Sequence, residues 1–178
     1  MAHVILVTGG ARSGKSAYAL RRAEGFARRC FIATAVAFDD ETRDRIARHR
    51  EERGAVWETI EAPHDVAGVL NGIDDPRAAV VVDCLTVWMG NLMHADPACT
   101  ETAPPCDALV DALGHSRAGT VILVTNEVGM SIVPENALAR RFRDVAGRLN
   151  QRVAAAADEV VLTVCGQALV IKGSESKR

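Results

Sequence analysis

The chain has 178 residues, of which 48% are hydrophobic and 25% charged, and its formal net charge at pH 7 is −2. This length and composition predict one globular domain that buries its core without disulfides. The small charge excludes an overall basic bias toward nucleic acid, and no apolar run approaches the ~20 residues of a membrane span. The N-terminus enters an apolar segment with no signal-type leader, so we expect a cytoplasmic protein.

The first predicted elements are a strand and a helix that are joined by a glycine-rich loop. The apolar run Val4–Thr8 predicts a buried strand, and Lys15–Arg28 predicts a helix. The connecting residues match G-x-x-x-x-G-K-S, which in this context predicts a P-loop whose amides and helix N-terminus bind phosphates. The predicted phosphate-binding residues are Gly9, Gly10, Ala11, Arg12, Ser13, Gly14, Lys15 and Ser16.

Two side chains of this loop have predicted roles of their own. Lys15 is expected to reach the β- and γ-phosphates as a catalytic group, and the Ser16 hydroxyl is expected to bind Mg²⁺. A glycine-rich turn that matches the pattern by chance is the alternative. The strand, loop and helix occur in the required order, so the sequence predicts binding of a nucleoside triphosphate.

The next part of the chain alternates between strand-like and helix-like patterns. Cys30–Thr34 and Val56–Ile60 predict strands, and they flank a heavily charged predicted helix, Asp40–Arg53. Opposite charges four residues apart are typical of a solvated helix. By its residue type alone, the single histidine of this segment, His49, is interpreted as a surface residue.

A carboxylate ends the next apolar strand, Ala79–Asp83, which lies between the predicted helices Asp65–Leu70 and Leu85–Met93. In P-loop enzymes a carboxylate at such a strand end helps to hold Mg²⁺, so Asp83 is the candidate ligand beside Ser16. Orientation of an acceptor hydroxyl and a plain strand-end turn remain the alternatives for Asp83.

Another candidate position follows the predicted helix Cys106–His115 and strand Thr120–Thr125. Asn126 and Glu127 come directly after that strand, and ligands of open α/β sheets bind beyond the carboxyl ends of strands. These two residues are therefore site candidates by location, and capping of the loop is the equal alternative.

The C-terminal elements are a helix, Glu135–Ala156, and the strands Glu159–Val164 and Ala168–Ile171. Pro134 is suited to the first turn of the helix. The apolar face of this helix consists of Leu138, Phe142, Val145, Leu149 and Val153.

Taken in order, these elements predict an α/β domain with a doubly wound, mostly parallel sheet, because uninterrupted apolar strands alternate with helices. Residues 1–172 are assigned to this domain and residues 173–178 to a polar C-terminal tail. All five cysteines are expected to be reduced and non-catalytic, with Cys30, Cys84 and Cys165 buried as small hydrophobes.

Several stretches match one known family, the bifunctional adenosylcobinamide kinase/adenosylcobinamide-phosphate guanylyltransferases, and the chain resembles that family over nearly its whole length. The resemblance implies a P-loop NTPase-type (RecA-like) fold, a single domain with a mostly parallel sheet and helices on both faces. The matching stretches are Leu6–Ser16, Ile32–Ala35, Arg45–Arg50, Trp57–Glu61, Val124–Met130, Ile132–Asn136, Phe142–Gln151 and Ala154–Val160.

The resemblance also implies an activity. The family phosphorylates adenosylcobinamide with ATP or GTP, and then transfers GMP from GTP to adenosylcobinamide phosphate through a guanylyl-histidine, giving adenosylcobinamide-GDP. It implies that His49 carries the GMP, that Mg²⁺ accompanies the nucleotide, and that the chain forms a homotrimer. Beyond the loop, the nucleotide contacts that it implies are Thr34, Ala35, Val36, Arg50, Glu51, Glu52, Arg53, Glu61 and Asp83.

Two other functions remain open on the sequence. One is a P-loop small-molecule kinase without the guanylyltransferase step. The other is a regulatory nucleotide-binding module, against which the chain lacks the Asn-Lys-x-Asp element of the common GTPase switches. A covalent GMP adduct is expected only from the bifunctional enzyme.

Overall fold

The computed structural model describes residues 1–37, 51 and 53–173. The predicted helix Asp40–Arg53 therefore lies outside the described residues except for Glu51 and Arg53, and residues 174–178 of the predicted tail lie outside them too. The elements are β1 His3–Gly9, α1 Lys15–Ala23, β2 Arg28–Ala33, β3 Glu58–Glu61, α2 Val66–Asn71, β4 Ala78–Asp83, α3 Leu85–Ala95, α4 Pro104–His115, β5 Thr120–Val124, α5 Ala137–Ala156, β6 Glu159–Val164 and β7 Gln167–Lys172.

The strands form one seven-stranded sheet in the order β3-β2-β4-β5-β1-β6-β7. Strands β1 to β6 run parallel, and β7 pairs antiparallel with β6 at one edge. The predicted α/β class with a mostly parallel sheet is confirmed. Because β5 lies between β1 and β4, one strand separates the strand before the P-loop from the strand that ends in Asp83.

Hydrophobic side chains fill both faces of this sheet. On one face, which we call the α1 side, Ile5, Val7 and Ile122 pack with Ala19 and Ala23 of α1. On the other, the α5 side, the core includes buried residues of α2, α3, α4 and α5. Residues that alternate between two buried faces must all be apolar, which is why the central strands read as continuous hydrophobic runs.

The large side chains of the α5 side come from three helices. Trp88, Leu109 and Leu149 are each at most 1% exposed. Burial of a side chain of this size stabilises the fold by ~1.5–3 kcal/mol, so this face supplies a large part of the folding free energy. None of the helices in the described part of the chain is long and apolar enough to cross a membrane.

Every described element lies within two residues of its predicted ends, except at the C-terminal end of α1. That helix was predicted to reach Arg28 but ends at Ala23, and the amide of Phe26 donates to the Ala23 carbonyl in the turn that follows. Arg28 already pairs with Ala78 of β4. Strand pairing at Arg28 therefore overrides the helical pattern of the sequence.

The start of α5 also differs from the prediction. The helix begins at Ala137 because Asn136 is its N-cap, with Asn136 Oδ1 accepting from the Ala139 amide at 3.0 Å. Pro134 precedes the helix instead of lying in its first turn. Leu138 is 61% exposed, so it does not belong to the buried apolar face.

Two further expectations are corrected at turns. Val56, predicted to start a strand, is exposed in the turn that the Trp57 amide closes on the Gly54 carbonyl. Cys165, expected to be buried, is exposed in the β6–β7 turn, where Cys165 and Gly166 both have positive φ angles. Two such residues are typical of a tight hairpin turn.

The other four cysteines are buried, and all five, which lie within the described residues, are free thiols. Burial raises the pKa of Cys30 to about 11 and that of Cys106 to about 12. Both thiols are therefore neutral near pH 7, as expected of structural cysteines.

Candidate nucleotide-binding site

The P-loop residues Gly9–Ser16 connect β1 to α1 at the carboxyl edge of the sheet. Gly14 has a φ of +98° and is the N-cap of α1, and Arg12 has a φ of +55°. A Cβ atom on Gly14 would lie 3.1 Å from the Gly166 Cα atom. Glycine thus permits both the left-handed turn into α1 and the close approach to the β6–β7 turn.

The β6 strand and its turn hold this loop in place. Ser13 Oγ and Thr163 Oγ1 are 2.8 Å apart in a buried hydrogen bond, and Thr163 Oγ1 donates to the Thr8 carbonyl at 3.2 Å. The Gly166 amide donates to the Ser13 carbonyl at 3.0 Å. Sequence reasoning did not identify Thr163 or Gly166, because no local pattern ties them to a loop about 150 residues earlier.

Lys15 is buried under the loop, and its Nζ donates to the Gly10 carbonyl at 2.6 Å. Burial lowers the pKa of Lys15 below its usual value, while Cys84 and Asp83 oppose this shift electrostatically. The ammonium group therefore lies within electrostatic range of the end of β4. Gly10, Ala11, Arg12 and Ser16 are exposed, so this part of the loop is open to a ligand.

Parallel pairing brings Asp83 to the same edge. Asp83 ends β4 and is in register with Ala33 of β2 and Val124 of β5. It is partly buried. The structure thus unites the predicted P-loop lysine and the predicted strand-end carboxylate across one intervening strand.

A buried polar cluster fixes the end of β2 beside Asp83. Thr34 Oγ1 donates to the Cys84 carbonyl at 2.9 Å and accepts from the Cys84 amide at 2.8 Å. Asn91 Nδ2 donates to the Thr34 carbonyl at 2.8 Å. The Thr34 side chain is fully buried and satisfied within the protein, whereas the following Ala35 and Val36 are partly exposed at the site edge.

Two of the remaining predicted contacts, Glu61 and Arg53, lie at strands farther from the P-loop. Glu61 ends β3 and pairs with Ala33, four strand spacings from β1, which corresponds to roughly 19 Å. The structure therefore does not bring Glu61 to the loop within this chain. The Arg53 guanidinium lies 3.7 Å from the Phe31 ring centroid, and Phe31 packs edge-on against Trp57 at 6.2 Å.

Of the five predicted site residues at positions 49–53, the structure describes two. Glu51 is exposed and Arg53 partly buried. His49, Arg50 and Glu52 lie outside the described residues, so their predicted roles depend on the sequence.

Glu127, a candidate by location, ties its loop to the strand that leads into the P-loop. Its Oε1 accepts from Thr8 Oγ1 at 2.7 Å, and its amide donates to the Gly9 carbonyl at 3.0 Å. Both bonds are internal, so for Glu127 the loop-capping interpretation is the one that the geometry supports.

The donor set suits Mg²⁺. Ser16 offers a hydroxyl in the first turn of α1, and Asp83 offers a carboxylate near Lys15. Both are hard oxygen ligands, and Mg²⁺ is commonly held by one or two protein oxygens together with phosphate oxygens and water. These two residues would hold the cation when nucleotide is bound.

The fold and the loop together define a P-loop nucleotide-binding protein. A solved structure of an ATPase from the type III secretion system of pathogenic bacteria superposes with a TM-score of 0.50 over 90% of this chain and 50% of that chain. The two sequences are 9% identical, so the likeness concerns the fold alone.

The family described as cobinamide kinase / cobinamide phosphate guanyltransferase matches residues 5–171. The bifunctional adenosylcobalamin biosynthesis protein CobU of Salmonella typhimurium is 43% identical over 180 residues, covering 95% of this chain and 99% of the relative. The bifunctional protein CobP of Pseudomonas aeruginosa is 41% identical over 169 residues, covering 94% and 96%. This chain belongs to the cobinamide kinase / cobinamide phosphate guanyltransferase family, which confirms the resemblance found in the sequence.

Proposed function

We propose that this chain carries out both reactions of its family: phosphorylation of adenosylcobinamide with ATP or GTP, and transfer of GMP from GTP to the resulting phosphate. One observation carries the proposal. A P-loop with a buried lysine lies at the carboxyl edge of the sheet beside Asp83, in a chain that matches the family nearly end to end.

In the kinase step the loop amides and Lys15 bind the β- and γ-phosphates. The acceptor hydroxyl attacks the γ-phosphorus, the bond to the β,γ-bridging oxygen breaks, and the nucleoside diphosphate leaves. Lys15 stabilises the charge that develops on that oxygen, and Asp83 either holds the cation or orients the hydroxyl. When bound at Ser16 and Asp83, Mg²⁺ neutralises phosphate charge.

In the transferase step we propose that His49 is the nucleophile. A neutral imidazole nitrogen, with a reference pKa of ~6.5, attacks the α-phosphorus of GTP and releases pyrophosphate. A phosphate oxygen of adenosylcobinamide phosphate then attacks the same phosphorus, which frees the imidazole and yields adenosylcobinamide-GDP. We propose that Arg50 and Arg53 help to recruit the phosphates and keep His49 neutral by their charge.

Labelling with α-labelled GTP and Mg²⁺ tests the second step. We expect an acid-labile, base-stable protein adduct in the unchanged chain and none in His49→Ala. The His49→Ala variant should still phosphorylate adenosylcobinamide, while Lys15→Ala should lose that reaction by ~100-fold or more. An unchanged chain that phosphorylates adenosylcobinamide and forms no adduct would identify a kinase without the transferase step.

We further propose a cytoplasmic homotrimer. The family resemblance supports this assembly, and a measurement of the molecular mass in solution tests it. Light scattering should give about 57 kDa, three times the 19.0 kDa of one chain. A monomer mass at micromolar concentration would contradict it.

A further inference from the structure

The β1–β5 ladder continues past the last residue of β5 and alongside the P-loop. The Thr125 amide donates to the Val7 carbonyl at 2.9 Å, and the Glu127 amide donates to the Gly9 carbonyl at 3.0 Å. Asn126 therefore lies between two ladder bonds, next to the residue at which the P-loop begins.

The neighbours of Asn126 are held on the α5 side of the sheet. Thr125 Oγ1 donates to Asn150 Oδ1 at 2.9 Å and lies 3.2 Å from Thr86 Oγ1. Glu127 accepts from Thr8 Oγ1. The Asn126 amide itself donates to Thr86 Oγ1 at 2.8 Å. The backbone at Asn126 is thus fixed by both flanking residues and by α3.

Alternation along the strand places the Asn126 side chain on the other face. Val124 packs in the core of the α1 side, and Leu123 packs in that of the α5 side. Thr125 and Glu127 bond on the α5 side, so Asn126 faces the α1 side, which carries the P-loop helix. Lys15 begins that helix, and Asp83 ends the neighbouring strand within its electrostatic range.

Within the described residues the Asn126 carboxamide makes no hydrogen bond, although the side chain is partly buried. A partly buried amide that is held rigidly and has no internal partner is available to a ligand. Loop capping, the alternative role, is already performed by Thr86, Thr8 and Glu127.

We propose that Asn126 Nδ2 donates a hydrogen bond to an oxygen of the terminal phosphoryl group and positions that group for transfer. The proposal rests on the kinase function proposed above. As the acceptor hydroxyl bonds to the γ-phosphorus, the bridging P–O bond breaks, the diphosphate takes the electron pair, and the hydroxyl proton passes to water. A neutral donor fixed in this position orients the phosphoryl group without adding charge.

The test compares Asn126→Ala and Asn126→Asp with the control Asn71→Ala, an exposed asparagine at the end of α2. We expect Asn126→Ala to lower kinase kcat by ~10- to 100-fold and Asn126→Asp to lower it further, because a carboxylate repels phosphate. Formation of the GMP adduct, which breaks a bond at the α-phosphorus, should change by less than ~5-fold. Asn71→Ala should match the unchanged chain.

Binding gives a second measurement that does not depend on turnover. The affinity of a nonhydrolysable GTP analogue relative to GDP, measured by calorimetry, should fall by ~5- to 20-fold in Asn126→Ala. An unaltered ratio, full activity of Asn126→Asp, or equal loss of both reactions would overturn the role of Asn126. Absence of kinase activity in the unchanged chain would instead contradict the proposed function, and the affinity ratio would still test Asn126.

Discussion

Gly9 and Gly10 are adjacent in the P-loop, yet the structure places very different demands on them. A Cβ atom on Gly9 would lie 2.4 Å from the Thr163 carbonyl oxygen, and the φ of Gly9 is +150°. A Cβ atom on Gly10 would meet no atom within 4 Å. The first glycine is needed to pack the loop onto β6, whereas the fold does not need the second.

Substitution by alanine should separate these two roles. We expect Gly9→Ala to lower the free energy of unfolding by ~2–3 kcal/mol, because both the carbonyl contact and the backbone angle oppose a side chain. Gly10→Ala should change it by less than ~0.5 kcal/mol. Urea unfolding followed by circular dichroism measures both, and equal effects would contradict the packing shown here.

The lowered pKa of Lys15 predicts that nucleotide binding depends on pH. Its pKa in the free protein lies below the usual value, chiefly through burial, and bound phosphates raise it by their charge. The affinity for nucleotide should be highest below the Lys15 pKa of the free protein and should fall as the pH rises through that pKa. Lys15 should take up a proton when nucleotide binds in this pH range.

Calorimetry in two alkaline buffers of different ionisation enthalpy would detect that proton. Lys15→Ala is the control, because it should bind at least ~10-fold more weakly and with no such pH dependence. A Lys15→Ala variant with the same pH profile as the unchanged chain would exclude Lys15 as the titrating group.

At the level of secondary-structure elements, an ion pair joins the last turn of α1 to the first residue of β6 on the α1 side of the sheet. Arg22 Nη1 and Nη2 donate to the two Glu159 carboxylate oxygens at 2.6 and 2.9 Å. Burial raises the pKa of Glu159, but the hydrogen bonds and charge of Arg22, with smaller contributions from His3, outweigh it, so the net pKa lies below the usual value. The pair therefore stabilises the fold while Glu159 is ionised.

Glu159→Gln should lower the free energy of unfolding by ~1–3 kcal/mol, because Glu159 is largely buried while Arg22 is partly exposed. This loss of unfolding free energy should be full above the pKa of Glu159 in the unfolded chain, about 4.3. It should vanish as the pH falls through the lower pKa of Glu159 in the folded protein. Glu58→Gln, which removes the exposed Arg28–Glu58 pair, should cost less than ~0.5 kcal/mol. Equal losses at the two positions would contradict this ranking.

For the molecule as a whole, the site extends along the carboxyl edge of one sheet. Gly9, Asp83 and Asn126 lie on three adjacent strands or their extensions, while Glu61 lies at the far end. A nucleotide bound at these three central strands, as proposed, would connect elements from both halves of the chain. Nucleotide should therefore stabilise the domain as one unit.

GTP at about a hundredfold its Kd should raise the free energy of unfolding by ~2.7 kcal/mol, which for a domain of this size raises Tm by roughly 5–10 °C. Chelation of Mg²⁺ should remove much of that increase. Asp83→Asn should make the increase insensitive to chelation, if the carboxylate holds the cation as proposed. A shift that is unaffected by chelation in the unchanged chain would contradict the proposed metal site.

The local patterns of the sequence predicted the P-loop, the strand that ends in Asp83 and the parallel α/β class, because each depends on residues that are close together in the chain. They also predicted most element ends. However, α1 was predicted to end too late, and α5 was predicted to begin two residues too early. Pairing of Arg28 and capping by Asn136 decided those two ends.

The supports of the loop depend on contacts between residues that are distant in sequence. Thr8 meets Glu127 across 119 positions, and Ser13 meets Thr163 across 150. No periodicity or motif encodes such pairs, since they follow from the order of strands in the sheet. The same strand order gave the Glu127 side chain an internal partner, whereas the Asn126 side chain faces the α1 side of the sheet. Only the tertiary structure could distinguish these two adjacent residues.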